Sequence, residues 1–487
     1  MISGMRMPMA VRPATVWIAR PCAMGWSSFL TDRPIEAVLN THASDKAIPA
    51  EAAVRDSDPG EEKPRLLFML RVVLVGVIFY GTYQTHFTID LGLKGLNPIT
   101  LLFLVAVWLT ASLKQKAATP APLKGVFYAF FLALVWSFVI GQLRDGSNMM
   151  DDLTVVKNVV FAMLLYFVAY HASGDRRTRQ ILFAALLGVT ALVTIHVWRQ
   201  AMDYGIGIYN ETRRASGPFG PNASASNRAA AFFIIFLPVM LTAALYLRQR
   251  RYLRHFAVVF TVLGVAGVFF TYSRQAYFIV ALLFTYLAFR RNWLLALAVA
   301  GIVMSYESWA PDGVIERIQM THQEDAGGEE KLDESTESRF IIWAGAAQII
   351  ASNPMGIGLN KFQNVIGDYL PSYAGMDAHN AYVRFATEGG IPGIAALVAL
   401  LLALFVLSHR LLRVDRSDET RLLGTAFSVS VMGVICSNIY GSRFFDADIM
   451  GAFWILAGMS ARYFTLVREE ALRLSATGAG AIPSARL

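Results

Sequence analysis

Residues 391–408 read IPGIAALVALLLALFVLS and contain no charged side chain. A helix of this length, at about 1.5 Å per residue, crosses the hydrocarbon core of a bilayer, which is about 30 Å thick. The rest of the chain has the same character, since 55% of its 487 residues are hydrophobic and only 16% are charged. Soluble proteins carry about 25% charged residues. The composition therefore predicts a polytopic α-helical membrane protein rather than a series of soluble domains.

Apolar blocks of similar length recur on both sides of this stretch and are separated by short polar loops. They predict an all-α bundle of about twelve transmembrane helices, in which one large outer loop at residues 310–390 contains short helices. Residues 1–65 are predicted to form a disordered cytoplasmic tail, and residues 466–487 a second cytoplasmic tail. The predicted spans are 66–84, 97–112, 124–142, 155–171, 179–198, 229–247, 255–272, 274–289, 293–309, 391–408, 421–440 and 446–465.

Lysine and arginine gather in every second loop, as in Arg176-Arg177 and Arg290-Arg291. Because basic loops stay on the cytoplasmic side, both termini are expected inside the cell. These clusters account for the net charge of +8, and no separate basic stripe predicts nucleic acid as a partner. The two cysteines, Cys22 and Cys436, lie too far apart in the sequence to indicate a disulfide framework or a metal cluster.

Three outer loops contain arginines that this topology does not explain: residues 199–228 with Arg213, Arg214 and Arg228, the tight turn with Arg274, and the large loop at 310–390. Arg274 lies in the polar interruption TYSRQ between two apolar runs, where it either reaches the lipid headgroups or binds an anion through its planar fork of donors. The segment 213–222, RRASGPFGPN, includes Arg214 and has the glycines and prolines of a compact turn. It either contributes to a binding cleft or simply connects two helices.

The large outer loop begins with an acidic segment, residues 321–338, that predicts a mobile solvated stretch. Residues 338–350 then have apolar positions at helical spacing and predict an amphipathic helix on the outer leaflet, with Arg339 in its first turn. Arg339 either belongs to a site or pairs with the acidic segment before it. The run NPMGIG at 353–358 predicts a turn.

The end of this loop contains His379, in the segment DAHNAYVRFATEGG of residues 377–390. Asp377 can cap a helix that places His379 and Tyr382 on one face, and Gly389 and Gly390 then end that helix. His379 is either structural or an acid–base group, because imidazole titrates near neutral pH. No second His or Cys stands at ligand spacing, so neither a metal nor another cofactor is expected.

Four stretches together resemble the O-antigen ligase and Wzy-type polymerase family of bacterial surface-polysaccharide assembly. They occur in the family's order and lie on predicted outer segments. They are Arg214-x-Ser-Gly-Pro-Phe-Gly-Pro-Asn222, Ser273-Arg274, Arg339-x-x-x-Trp343 followed by NPMGIG, and His379-Asn380 with Glu388-x-Gly390. The flanking helices agree with the family only in number and hydropathy.

The resemblance implies a multi-pass protein of the bacterial inner membrane that transfers glycan without a metal on the periplasmic side. It implies an undecaprenyl-diphosphate-linked glycan as donor and lipid A-core, or another lipid-linked glycan, as acceptor. The diphosphate-binding arginines would fall on Arg274 and Arg339 and the catalytic base on His379. Arg214, Asn380 and Glu388 are candidate supporting residues. A single displacement would invert the anomeric centre.

Three alternatives remain beside ligation to lipid A-core, which the single dominant outer loop favours. The first is another transferase of the same kind, either a Wzy-type polymerase of O-antigen or exopolysaccharide or a protein-glycosylating relative. The second is a transporter or flippase for a polysaccharide lipid, although the predicted spans are nearly uncharged and show no clear internal repeat. The third is a structural subunit of the membrane without catalytic activity.

Overall fold

The computed structural model describes residues 64–476 except 90, 93–95, 114–118, 145–147, 207–208, 222, 321, 325–329 and 333. The predicted N-terminal tail and residues 477–487 lie outside the described residues. Twelve helices coincide with the twelve predicted spans: α1 (Pro64–Tyr83), α2 (Pro98–Ala111), α3 (Lys124–Gln142), α4 (Met149–Ala172), α5 (Arg176–Tyr204), α6 (Ala223–Tyr246), α7 (Arg251–Phe270), α8 (Arg274–Arg291), α9 (Trp293–Met304), α14 (Gly390–Val414), α15 (Asp418–Ser437) and α16 (Ala447–Ala476).

The prediction of a polytopic all-α membrane protein is confirmed. Among the described residues, nine helices are long and apolar enough to cross a membrane, namely α1, α3, α4, α5, α6, α7, α14, α15 and α16. Helices α2 and α9 are apolar but shorter, with 14 and 12 residues. Helix α8 begins at one arginine and ends with two. Helix α16 extends well past the predicted end of the last span, through residue 476, so part of the predicted C-terminal tail is helical.

Helices α16 and α6 form the centre of the bundle, and 94% and 83% of the residues in their apolar stretches are buried inside the protein. Small residues let these helices approach their neighbours closely. A Cβ at Gly458 of α16 would collide with the carbonyl oxygen of Tyr166 in α4, and a Cβ at Gly433 of α15 would lie 2.8 Å from the carbonyl oxygen of Ile234 in α6. The outer helices, above all α9, instead expose apolar side chains, as expected for a surface that faces lipid.

Contacts between loops fall into two sets at opposite ends of the bundle. At one end, Arg71 Nη2 lies 3.0 Å from Asp175 Oδ1, and Arg179 Nε lies 2.8 Å from Glu419 Oε1. The other end carries residues 305–389 and is called the loop end. These two sets correspond to the alternate loops that the basic residues distinguish in the sequence.

The loop end is more structured than the sequence predicted. It contains α10 (Asp312–Gln319), the antiparallel strands β1 (His322–Glu324) and β2 (Glu330–Leu332), α11 (Glu334–Ser352), α12 (Phe362–Tyr369) and α13 (Ala381–Glu388). Where it is described, the predicted mobile acidic segment thus forms a strand pair and the start of α11, while residues 321, 325–329 and 333 lie outside the described residues. Arg339 lies in the second turn of α11 rather than the first, because the helix begins at Glu334.

Helices α11, α12 and α13 enclose a small hydrophobic core of their own, separate from that of the bundle. Its buried members are Ile342, Ala346, Ile349, Ile357, Phe362, Ile366 and Ala378. The amphipathic face predicted for residues 338–350 therefore packs on other parts of the loop, which contradicts the predicted position on the outer leaflet. This core fixes the relative positions of the helix that carries Arg339 and the segment that carries His379.

A crossing of two backbone segments attaches this loop to the bundle. Ile357 N donates to Thr387 O at 2.9 Å, and Ile391 N donates to Pro354 O at 2.9 Å. Gly356 has φ +95°, and a Cβ there would lie 2.5 Å from Glu388 O. The glycines of the NPMGIG run are thus required because two backbones touch, in addition to the turn they form.

Candidate functional site

His379 lies just before α13 and not on its face, which corrects the prediction. Asn380 is the N-cap of the helix, and its side-chain oxygen accepts from Tyr382 N at 2.9 Å and Val383 N at 3.1 Å. Asp377 instead binds the backbone just before the helix, because its Oδ2 accepts a hydrogen bond from His379 N at 3.1 Å. His379 has φ +49°, a strained conformation for a residue with a Cβ. The surrounding contacts hold it there.

The imidazole of His379 is accessible and has an acidic neighbour. Its side chain is 44% exposed, and its Nδ1 lies 3.7 Å from Asp377 Oδ2. Ser442 Oγ donates to the same oxygen of Asp377 at 3.2 Å. The carboxylate is therefore held by two groups while it faces Nδ1, which leaves Nε2 as the ring nitrogen directed away from Asp377.

The positive charges of two arginines affect the pKa of this imidazole. Burial lowers the pKa of His379 below its ordinary value of 6.5, and the positive charges of Arg339 and Arg443 lower it further, whereas the carboxylate of Asp377 raises it. The net result is a neutral imidazole near pH 7, which can accept a proton. We call Asp377, His379, Arg339 and Arg443 the histidine cluster.

Trp343 links the two sequence motifs that meet in this cluster. It lies one helical turn after Arg339 in α11, and its indole Nε1 donates to the carbonyl of Ala378 at 2.8 Å. The spacing Arg339-x-x-x-Trp343 therefore places an arginine and an anchor for the histidine segment on one helix face. The sequence predicted both residues but not this bond.

Below the histidine cluster lies a buried ion pair between Arg384 and Glu388. Arg384 Nε lies 3.1 Å from Glu388 Oε1, its Nη1 lies 3.9 Å from Asp377 Oδ1, and its guanidinium stacks 4.2 Å from the centroid of the Phe445 ring. Burial raises the pKa of Glu388, and the charge of Arg384 opposes that rise. Glu388 is thus enclosed and supports α13, as Asn380 does by capping it.

A second buried pair fastens the loop to α4. Lys361 Nζ lies 2.7 Å from Asp152 Oδ2, and both side chains are almost fully buried. Asn360 Nδ2 donates to the other oxygen of Asp152 at 3.1 Å, and Gln142 Nε2 donates to Oδ2 at 2.8 Å. The three donors offset the cost of removing this carboxylate from water, so the contact holds the loop firmly against α4.

Arg274 belongs to a different group, which surrounds Tyr209. Burial raises the pKa of Tyr209, while the positive charges of Arg317, Arg214 and Arg274 oppose that rise. Arg317 lies over the Tyr209 ring, with its guanidinium carbon 4.9 Å from the centroid. We call Arg214, Arg274 and Arg317 the arginine cluster.

Arg214 is held rigidly within this cluster. Its Nε donates to Thr271 O at 2.9 Å, and its Nη2 donates to Asn227 Oδ1 at 2.8 Å. Its neighbour Ala215 donates its backbone N–H to Phe270 O at 3.0 Å. Residues 213–221 therefore dock against the turn between α7 and α8, and Arg214 contacts the turn that leads into Arg274.

The outward arginines do not all have the same explanation. Arg228 forms ion pairs with Asp448 and, at 3.8 Å, with Asp446, so its charge is balanced within the protein. Arg213 is exposed, whereas Arg214 is buried. Only a subset of these residues is thus available for an anion.

The structure therefore brings His379 and Arg339 together and places Arg274 with Arg214 in a second group at the same end of the bundle. Sequence reasoning missed Arg443 and Arg317. The sole sequence signal for Arg317 was its position in a short amphipathic segment at 312–319, and Arg443 had none beyond lying in an outer loop. Within the described residues, no three His, Cys, Asp or Glu side chains group together as a metal site would require.

A comparison with known protein families finds a match in the region that contains most of these residues. Residues 259–398 match a protein family described as O-Antigen ligase. The matched region runs from α7 into α14 and includes Arg274, Arg317, Arg339 and His379, whereas Arg214 precedes it and Arg443 follows it. None of the curated proteins matches the chain. Over residues 259–398 this multi-pass membrane protein is thus similar to the O-antigen ligase family, which confirms the resemblance predicted from the sequence.

Proposed function

We propose that this protein transfers glycan from undecaprenyl diphosphate to an acceptor hydroxyl at its loop end, and that the acceptor is lipid A-core. The match to the O-antigen ligase family supports glycosyl transfer of the ligase or polymerase type in general. The observation that carries the specific proposal is the histidine cluster, in which an accessible imidazole faces Asp377 and has its pKa lowered by burial and by the charges of two arginines. Such a site joins a base to groups that attract phosphate.

The proposed reaction is a single displacement. The acceptor hydroxyl attacks the anomeric carbon of the donor sugar while the bond from that carbon to the diphosphate oxygen breaks. The hydroxyl proton passes to His379 Nε2, because Nδ1 faces the carboxylate of Asp377. Attack on the face opposite the leaving group inverts the anomeric centre.

The leaving diphosphate carries the negative charge that develops as the bond breaks. Arg339 from the histidine cluster and Arg274 from the arginine cluster are the proposed ligands of this group, and their guanidinium groups stabilise it without a metal. Asn380 and Glu388 take supporting roles by capping α13 and by pairing with Arg384. The polyprenyl chain would lie between helices, along the exposed apolar surface of the bundle.

The proposed setting is the bacterial inner membrane, with the loop end in the periplasm and both termini in the cytoplasm. The alternation of basic loops supports this orientation. Ligation is favoured over polymerisation because one outer loop dominates, and its residues from 342 to 378 contribute to a hydrophobic core of their own. A deletion strain separates the alternatives: loss of glycan from lipid A-core indicates ligation, single-repeat capping indicates polymerisation, and loss of glycan lipid from the periplasm indicates transport.

The direct test uses purified protein in lipid nanodiscs with the glycan-linked undecaprenyl diphosphate and lipid A-core. His379→Ala is expected to slow transfer by roughly 10²–10⁴-fold, the usual contribution of a general base. Arg274→Ala and Arg339→Ala are expected to slow it by roughly 10²–10³-fold, as for removal of a group that stabilises developing charge. Arg213→Ala, an exposed neighbour in the same outer segment, serves as control. Normal transfer rates in all three folded variants would disprove the catalytic assignment.

A further inference from the structure

Several buried or partly buried arginines of the described chain have carboxylate partners. Arg179 pairs with Glu419 at 2.8 Å, and Arg384 pairs with Glu388 at 3.1 Å. Arg228 pairs with Asp448. This is the expected arrangement, because a charge taken out of water without a counter-charge costs several kcal/mol.

The arginine cluster departs from this arrangement at Arg214. The side chain is only 9% exposed, yet the two acceptors that orient it are neutral, a backbone carbonyl and an amide oxygen. Burial, together with the positive charge of Arg317, lowers its pKa to about 10. Neutral acceptors fix the direction of the guanidinium without cancelling its charge, so the site keeps its attraction for an anion.

Arg317 also has a part of its guanidinium that no protein group compensates. Its Nε is buried and has no hydrogen-bond acceptor among the described residues. The ring of Tyr209 supports the flat face of the guanidinium at 4.9 Å, which orients the donors at its edge. Glu211 and Glu316, the neighbouring acids, are both exposed, so water weakens their effect on the cluster.

From this geometry we infer that Arg317 completes, with Arg214 and Arg274, an anion site that selects a lipid diphosphate over a lipid monophosphate. The inference rests on the proposed function, in which the donor is a lipid diphosphate. A diphosphate has more oxygens and more negative charge than a monophosphate, and a third guanidinium with an unused donor matches that difference. Arg317 is delivered by α10 from the large loop, whereas Arg214 and Arg274 come from the bundle.

The test measures binding of undecaprenyl diphosphate and of undecaprenyl phosphate to the full chain in nanodiscs. Arg317→Ala is expected to weaken binding of the diphosphate by about tenfold or more, the loss of one charge-assisted hydrogen bond. Its binding of the monophosphate should change less than about twofold. Arg317→Lys keeps the charge but loses the planar fork, so it should fall between wild type and Arg317→Ala. Arg213→Ala is the matched control and should bind as wild type does.

The outcomes separate this inference from the proposed function. If wild type binds the diphosphate more tightly than the monophosphate but Arg317→Ala and Arg317→Lys keep that preference, Arg317 does not select the diphosphate. If wild type binds the diphosphate and the monophosphate equally, the site does not select the diphosphate, and if wild type binds neither lipid, the proposed donor itself is wrong. Thermal unfolding of each variant, with Arg213→Ala for comparison, shows whether a loss of affinity reflects a loss of fold, and the lysine variant decides the question if the alanine variant does not fold.

Discussion

At the scale of single residues, His379 determines how the proposed reaction responds to pH. Because burial and two arginines lower its pKa below 6.5, the imidazole is neutral at and somewhat below pH 7. The activity of a general base is lost as the pH falls through its pKa. We therefore expect kcat/KM to be flat around neutral pH and to fall with a midpoint below pH 6.5. A pH–rate profile checks this, and a midpoint above 6.5 would contradict it.

The charged neighbours of His379 should shift this midpoint in opposite directions. Asp377→Asn removes a negative charge but keeps an acceptor for His379 N, so the midpoint should move to lower pH. Arg443→Gln removes a positive charge, so the midpoint should move to higher pH. Arg443→Lys retains the charge and is the control. Shifts in the same direction, or none, would show that these groups do not set the ionisation of His379.

The residues of the site differ in how far sequence alone could identify them. Arg339 and His379 were predicted because they stand in short stretches shared with a known family. Arg317 and Arg443 were not predicted, because each belongs to the site only through its interaction with a side chain that is far away in the sequence. Asp377 was predicted as the helix cap in place of Asn380, since both residue types cap helices well and only the folded backbone decides between them.

At the scale of elements, the crossing of the NPMGIG run with the start of α14 should be intolerant of any side chain. Gly356→Ala would place a methyl group 2.5 Å from Glu388 O and 2.7 Å from Gly390 N, both backbone atoms. We expect a loss of roughly 3 kcal/mol or more, from the clash added to the strain of positive φ. Gly375→Ala is the matched control, because Gly375 has φ +78° but open space around its Cβ position.

That control should cost only about 1 kcal/mol, the conformational penalty by itself. Thermal or denaturant unfolding in detergent measures both variants. Equal losses for Gly356→Ala and Gly375→Ala would mean that the backbone contact does not contribute to stability. Because this crossing adjoins α13, Gly356→Ala should also reduce transfer activity more than Gly375→Ala does.

The buried pair of α13 yields a second prediction about this element. Arg384→Met leaves the carboxylate of Glu388 buried without its partner, which should cost about 3–5 kcal/mol. Adding Glu388→Gln removes the stranded charge and keeps an acceptor for Phe362 N, so the double variant should be more stable than Arg384→Met alone. Chemical unfolding of the variants gives the comparison. A double variant less stable than Arg384→Met would contradict this account.

The elements themselves were predictable to different degrees. The spans follow from apolar length, because lipid requires each crossing segment to be an apolar helix with its backbone bonded internally. Helices α10, α12 and α13 have eight residues each, too few to be stable without tertiary contacts. For α12 and α13 those contacts come from the separate hydrophobic core of the loop, whose buried residues run from 342 to 378 and against which Val383 of α13 packs. No local pattern indicates such a core.

At the scale of the whole molecule, the two ends of the bundle differ in the contacts that hold them together. The end opposite the loops is held by ion pairs such as Arg71–Asp175. The loop end joins residues from distant parts of the chain, as in the bond from Ala381 N to Asn438 O at 2.9 Å. Both clusters lie at this end, so a substrate would meet them from one side of the membrane. The proposed function requires that side to be the periplasm.

Cysteine labelling tests this orientation for the whole chain. In a background with Cys22→Ser and Cys436→Ser, Met376→Cys introduces a thiol at the loop end and Tyr252→Cys one at the opposite end, where the native side chains are 48% and 77% exposed. A membrane-impermeant maleimide added to cells with a permeabilised outer membrane should label Met376→Cys but reach Tyr252→Cys only after the inner membrane is broken. The charge of the loops determines which way round the protein is inserted into the membrane. The same fold could therefore have the opposite orientation from the one proposed. Labelling of Tyr252→Cys alone in intact inner membranes would place His379 in the cytoplasm, where a periplasmic ligase cannot act.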